Sequence, residues 1–294
     1  MRTGFSVFLV TLLALGASWF GLVNGPIQQL GGAKQTTVLQ SGEKWPQQRT
    51  GDATLGLQVY RANGCAACHT EQIRQTGAVS EISLTDLGAR KPADFKEFIK
   101  SLMLVPELMN ASNIIVGNIE KWDGSTPVVL YSGEDNAVVS TLADKLKPVG
   151  VKTDARIVAT GADIARGWGM RQSVAADYLY DVPVQLGNLR AGPDLSTIGV
   201  RQPDMNWQLA HLYAPRYLVK NSTMPAFRYL FTVRNKVNGQ SSPDALVLPK
   251  EYMPAGDVEV IPTTEAKQLA AYLLSLKNNV PLYEAPFTPI TAAK

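Results

Sequence analysis

The sequence predicts a mainly α protein with an N-terminal transmembrane helix and a small α/β insert that interrupts its helical domain. Three observations predict it. An uncharged run rich in Leu, Val and Phe occupies Phe5 to Val23, which at about 1.5 Å per residue nearly crosses a hydrocarbon core of about 30 Å. The stretch Gly64-Cys65-Ala66-Ala67-Cys68-His69 holds the only two cysteines of the chain. Between Thr126 and Thr160, β-rich and helical runs alternate, a pattern unlike the helical segments on either side.

The elements follow in order. Arg2 and the N-terminal amine precede the apolar run, and no basic residue follows it until Lys34, so the N-terminus is expected in the cytoplasm and the bulk of the chain across the membrane. The residues after the run, Phe20 to Gly25, contain no A-x-A cleavage pattern, which favours a retained anchor over residues 1–24 against a removed signal peptide. Residues 25–50, rich in Gly, Gln, Thr and Lys, read as an extended linker laid over a partner surface.

Cys65, Cys68 and His69 form a C-x-x-C-H sequence, the signal for covalent haem attachment. The spacing puts both sulfurs on one helical turn, where they can add to the two vinyl groups of one haem while His69 faces the iron. A zinc site would need a second pair of ligands, and the only other histidine is the isolated His211. A redox dithiol would sit between a strand and a helix and has no need of the histidine. One covalent haem c is therefore expected, in a class I cytochrome c fold over residues 51–76 and 165–280. Leu55, Leu57, Val59 and Tyr60 mark its first helix. Thr263 caps its last, whose apolar face is Leu269, Ala270, Tyr272, Leu273 and Leu276. In such folds these helices cross, bringing Leu269 and Tyr272 against Leu57 and Tyr60.

The insert, residues 77–164, reads as a helix over Ala93 to Met109, a strand over Thr126 to Ser132, a helix over Asn136 to Lys147 and a strand over Ala155 to Thr160, a βαβ pattern. Its turn Gly133-Glu134-Asp135 has one glycine and two acids and repels phosphate. No cofactor is expected there, only a structural or docking role. The tail, residues 281–294, has Pro281, Pro286 and Pro289 and is expected to run extended over the surface.

Further site residues follow from context. In Arg190-Ala191-Gly192-Pro193-Asp194-Leu195 the Pro193 carbonyl can take the Nδ1 hydrogen of His69 and leave Nε2 for iron. Arg190 either neutralises a haem propionate or is a solvated surface charge. A sulfur ligand on the far side would suit an electron carrier. Met224, in Asn221-Ser222-Thr223-Met224-Pro225-Ala226-Phe227, sits where proline stops a helix, and Met253 in Tyr252-Met253-Pro254 competes with it. Met103, Met109 and Met205 read as fillers.

Taken in order, these residues resemble the membrane-anchored monohaem cytochrome c subunit (subunit II) of cbb3-type cytochrome oxidases. The anchor, the haem motif with Gln72-Ile73-Arg74, Tyr178 to Pro183, Arg190 to Leu195, Trp207 with His211-Leu212 and Pro215-Arg216, and Ser222 to Phe227 carry the resemblance. It covers residues 1–76 and about 165–280. The resemblance implies that Met224 rather than Met253 is the axial sulfur and that Arg74 joins the haem-binding residues. Two departures are Gln75, where the family has proline, and Gln208, where it often has histidine.

The implied function is electron relay, with no catalytic residue in this chain. The implied partners are a haem-copper oxidase catalytic subunit, other cytochrome subunits, and a donor cytochrome or upstream respiratory complex. The implied location is the bacterial inner membrane, crossed once, with the haem domain on the periplasmic side. A net charge of +3 argues for no nucleic-acid partner. The other readings are a cytochrome subunit of another membrane complex, such as a nitric oxide reductase, and a haem sensor or tether.

Overall fold

Helix α1 (Arg2–Trp19) has no acidic residue in its first turn and no basic one in its last, and its residues from Thr3 onward are exposed. A π turn (Phe20–Asn24) and α2 (Gly25–Leu30) continue it. Thr3–Gln29 is 27 residues long, apolar enough to cross a membrane, and packs against nothing. That suggests membrane anchoring. The computed structural model describes residues 2–39, 41–102, 104–106, 108, 109, 111, 114, 122, 127–282 and 285.

The linker carries structure of its own. Strands β1 (Thr36–Thr37) and β2 (Lys44–Trp45) pair as a small hairpin, and two residues fasten it to the protein's own body. The Trp45 indole N–H donates to Asp177 Oδ1 at 2.7 Å, and Arg49 pairs with Asp181. Gly-, Gln- and Thr-rich composition hid two strong anchors, one aromatic and one guanidinium, whose contacts outweigh the entropy of a flexible segment. The start of the tail is likewise packed inward: Val280 O accepts from the buried Arg171 Nε at 2.7 Å, and Leu282 is buried. Most of the tail lies outside the described residues, as does Met103.

Helix α3 (Asp52–Ala62) leads into the cysteine turn. The insert then opens with a strand missed in the sequence, β3 (Gly77–Asp86), followed by α4 (Pro92–Leu102), β4 (Val128–Gly133), α5 (Asn136–Leu146) and β5 (Lys152–Thr160). The sheet order is β4-β3-β5, with β3 antiparallel to both neighbours. The βαβ reading is thus corrected: β4 and β5 run the same way but never pair, because β3 fills the place between them. Its Ile82-Ser83-Leu84 alternation, with both apolar residues fully buried, was the available signal. Phe95, Ile99, Leu130 and Leu142 complete a core of the insert's own. Asp135 caps α5 by accepting from Ala137 N at 2.8 Å, so that acidic turn serves the helix.

The chain leaves the insert where it came in. Gly77 is opposite Thr160, Thr76 N–H donates to Thr160 O at 2.9 Å, and Arg74 N–H donates to Asp163 Oδ2 at 2.7 Å.

Past the insert come α6 (Ala162–Ala165), α7 (Ile198–Arg201), α8 (Met205–Tyr213), α9 (Pro215–Leu218), β6 (Phe231–Asn235), β7 (Val258–Pro262) and α10 (Thr264–Ser275). Thr263 Oγ1 accepts from Ala266 N at 3.2 Å, capping α10 as expected. Helices α3 and α10 cross at Gly56, where a Cβ would run into Gln268 O and lie 2.8 Å from Tyr272 Cβ. One turn on, the fully buried rings of Tyr60 and Tyr272 lie 5.1 Å apart, the contact expected of the crossing. Strands β6 and β7 pair antiparallel, so helix and strand are mixed throughout and the content exceeds a mainly α plan.

Candidate haem-attachment site

Helix α3 ends because Asn63 Nδ2 takes the Val59 carbonyl at 2.7 Å and Gly64 turns left-handed, with φ of 64°. The next residues, Cys65–Ala67, make one 3-10 turn, closed by Cys68 N–H and His69 N–H donating to Cys65 O at 3.1 and 3.0 Å. Both sulfurs and the imidazole therefore issue from a single turn. Cys65 is half-buried and Cys68 exposed. Burial pushes the Cys65 thiol up to about 12, the reverse of the lowered value a redox dithiol needs. Among the described residues no group of three or more His, Cys, Asp and Glu could hold a metal ion.

The His69 ring is held in one tautomer. Its Nδ1 lies 2.8 Å from Pro193 O, and a carbonyl can only accept, so Nδ1 carries the proton and Nε2 keeps its lone pair. Burial lowers the imidazole's pKa, against the opposing pull of the Pro193 carbonyl and Asp194, which keeps the lone pair available. The ring lies against Gly192, where a Cβ would overlap it at 2.7 Å from Nδ1 and 2.9 Å from Nε2. Gly187, at φ of 80°, passes equally close to the His69 carbonyl. These features fit an iron on Nε2.

Asp194, a residue the sequence reading passed over, sets the Pro193 turn. Its buried carboxylate accepts from Thr70 Oγ1 at 2.5 Å and Gln72 N at 2.8 Å, and from Ser196 N at 2.8 Å. The signal was the residue itself, a short acid directly after the proline of a turn. Glu71, also missed, is buried at the helix crossing, with Tyr272 OH 2.9 Å from both oxygens. Burial pushes it up to about 8, against Tyr272 and Arg49.

Arg190 borders this cluster, its Nη2 3.8 Å from Asp194 Oδ2. Arg190 pairs with the buried Asp163 and gives Nη2 to Gln72 O at 2.5 Å, stacked over Trp168. The guanidinium ties the Pro193 turn to the base of the insert. Arg74 gives its backbone N–H to Asp163, and its side chain is exposed.

Met224 and Met253 are both half-buried and pack on the same core as Cys65 and Ala66. The Met224 loop is held by Phe227 N–H on Leu212 O at 2.9 Å and Met224 N–H on Ser222 Oγ at 3.3 Å. Met253 follows a turn whose Tyr252 ring lies against Tyr217 at 5.4 Å. Met109 and Met205 lie on the surface. His211 stacks on Trp207 at 4.8 Å, and its Nδ1 is buried with no partner.

Residues 162–253 match the family described as "Cytochrome C oxidase, mono-heme subunit/FixO". The chain resembles that mono-haem subunit. The matched stretch holds Arg190, Pro193, Met224 and Met253, and ends before α10. A mono-haem subunit of cytochrome c oxidase implies a haem c cofactor and a place in electron transport. A search of curated proteins finds no match. What the family match does not span, the turn from Cys65 to His69, the fold brings to it: Pro193 and Gly192, inside the match, clasp His69, outside it.

Proposed function

We propose that this chain is the electron-relay subunit of a cbb3-type terminal oxidase, working through one haem c bound covalently by Cys65 and Cys68 and ligated by His69 and Met224. The observation that carries the reading is the Pro193 carbonyl on His69 Nδ1 with Gly192 against the ring. A haem c with histidine and methionine ligands supplies one-electron transfer at a raised potential. The chain's own residues do the rest. Pro193 keeps the proton on Nδ1, Asp194 holds Pro193 in place, and the Met224 loop, hung from α8 through Leu212, offers its sulfur. A haem held by both His69 and Met224 would offer oxygen no place to bind, and oxygen would be reduced on another subunit.

The anchor over residues 1–24 then keeps the haem domain, residues 51–76 and 165–280, on the periplasmic side of a bacterial inner membrane. There it takes electrons from a donor cytochrome or an upstream complex and passes them to the haem-copper subunit. The insert, with its own core and no ligand-bearing cluster among its described residues, touches a neighbouring subunit and not the haem.

Purification of the tagged chain from its native membrane in mild detergent, with mass identification of co-eluting chains, tests this. A haem-copper oxidase subunit in fixed proportion is expected. Co-elution with a nitric oxide reductase, or with nothing, would remove the oxidase from the reading and leave the haem in it.

A further inference from the structure

The exit of the anchor opens onto a groove of about 560 Å³ lined by Ala33, Lys34, Gln35, Lys44, Leu179 and Tyr180. Its height can be read from the helix. Thr3–Gln29, 27 residues, is about 40 Å long at about 1.5 Å per residue, equal to a bilayer of about 40–45 Å with its head groups included. Gln29 thus reaches the outer edge of the head-group layer. Lys34, five residues on, is close enough for its long side chain to reach back into that layer.

The groove's chemistry suits that level. It carries two cations and no acid, and no carboxylate pairs with either lysine among the described residues. Lys44 is already aimed, its Nζ donating to Thr37 Oγ1 across the hairpin at 3.1 Å. Tyr180 adds an amphipathic ring of the kind found at membrane interfaces. Beyond it Val182 is 84% exposed, with Val184 also exposed. That loop is firmly held, since Arg49 grips Asp181, Gln185 Nε2 donates to Pro183 O at 2.8 Å, and Glu71 N–H donates to Leu186 O at 3.2 Å. Its valines are kept outward by structure around them, which marks an interaction surface.

We propose that Lys34 and Lys44 hold the phosphate of an anionic phospholipid head group in this groove, and that Val182 and Val184 rest on the same membrane surface. The inference rests on the anchor and is independent of the haem. The pairing of cations, interfacial tyrosine and exposed aliphatics is that of a segment lying on a membrane.

Two measurements on the full chain test it. In nanodiscs containing phosphatidylglycerol and phosphatidylcholine, native mass spectrometry is expected to find phosphatidylglycerol retained. Lys34→Glu with Lys44→Glu should lower that retention about ten-fold while Lys34→Arg with Lys44→Arg keeps it. Unchanged retention in the glutamate pair overturns the site. A photo-crosslinking residue in place of Val182, irradiated in native membranes, should add a phospholipid mass to the chain. A cross-link to a protein subunit, or no lipid adduct, overturns the membrane contact.

Discussion

Gly192 lacks a side chain because the His69 imidazole occupies the space one would fill. Gly192→Ala must push the ring off the Pro193 carbonyl, and the expected outcome is a large loss of haem-loaded chain, read as haem absorbance per mole of protein. The two methionines part company in the same kind of experiment. On the proposed ligation, Met224→Leu should lower the midpoint potential and let the reduced protein bind carbon monoxide, because it would remove the sulfur that raises the potential and open a coordination position. Met253→Leu should do neither, and the reverse result would assign the ligand to Met253. His211 gives a pH test. Burial, with a smaller push from His69, lowers its pKa to about 4 from an ordinary 6.5. The fold holds this ring neutral and the unfolded chain binds its proton first, so stability is full above about 6.5 and falls as pH drops toward 4. The loss is about 3 kcal/mol at most, reduced by screening at the ring's exposed edge. His211→Phe keeps the stack on Trp207 and should flatten that slope in denaturant midpoints taken across the range.

The two helices were legible from apolar spacing, and their crossing, with Tyr60 against Tyr272, from the cytochrome c fold that the haem motif predicts. Gly56 explains how close they come. Gly56→Leu drives a side chain into the α10 backbone and should cost about 3 kcal/mol or more, measured as a fall in the unfolding midpoint. The cysteine turn was readable because a short motif fixes it locally, and the Pro193 contact, 124 residues away in sequence, because a Gly-Pro turn is expected opposite the histidine in a c-type cytochrome. Three features were not. Strand β3 stands where the sequence reading assigns no element, although Ile82 and Leu84 alternate as a strand should. The hairpin of β1 and β2 is too short for periodicity to show, and long-range partners such as Asp177, Asp181 and Pro281 hold it down. For Arg190, a lone sequence cannot reveal that Asp163, 27 residues away, pairs with its guanidinium.

At the scale of the whole molecule the chain has two cores, one built on α3, α8 and α10 and one within the insert. They share a narrow stem at Thr76 and Thr160, braced by Asp163 against Arg74 and Arg190. Removing Gly77 to Thr160 and joining the cut ends through a short glycine turn should therefore leave the haem domain intact, with unchanged haem content and absorbance. A cut carried through Asp163 should not, since that carboxylate steadies the Pro193 turn through Arg190. Comparing the visible spectra of the two deletions checks the difference, and co-purification of the shorter one shows whether the insert is what holds the neighbouring subunit.

Two chain ends that meet as neighbouring strands, about 5 Å apart, also make this point a socket. Another small domain whose own termini emerge side by side, a fluorescent reporter or an affinity module, could be plugged in at Thr76 and Gly161. It would ride beside a redox centre without displacing it.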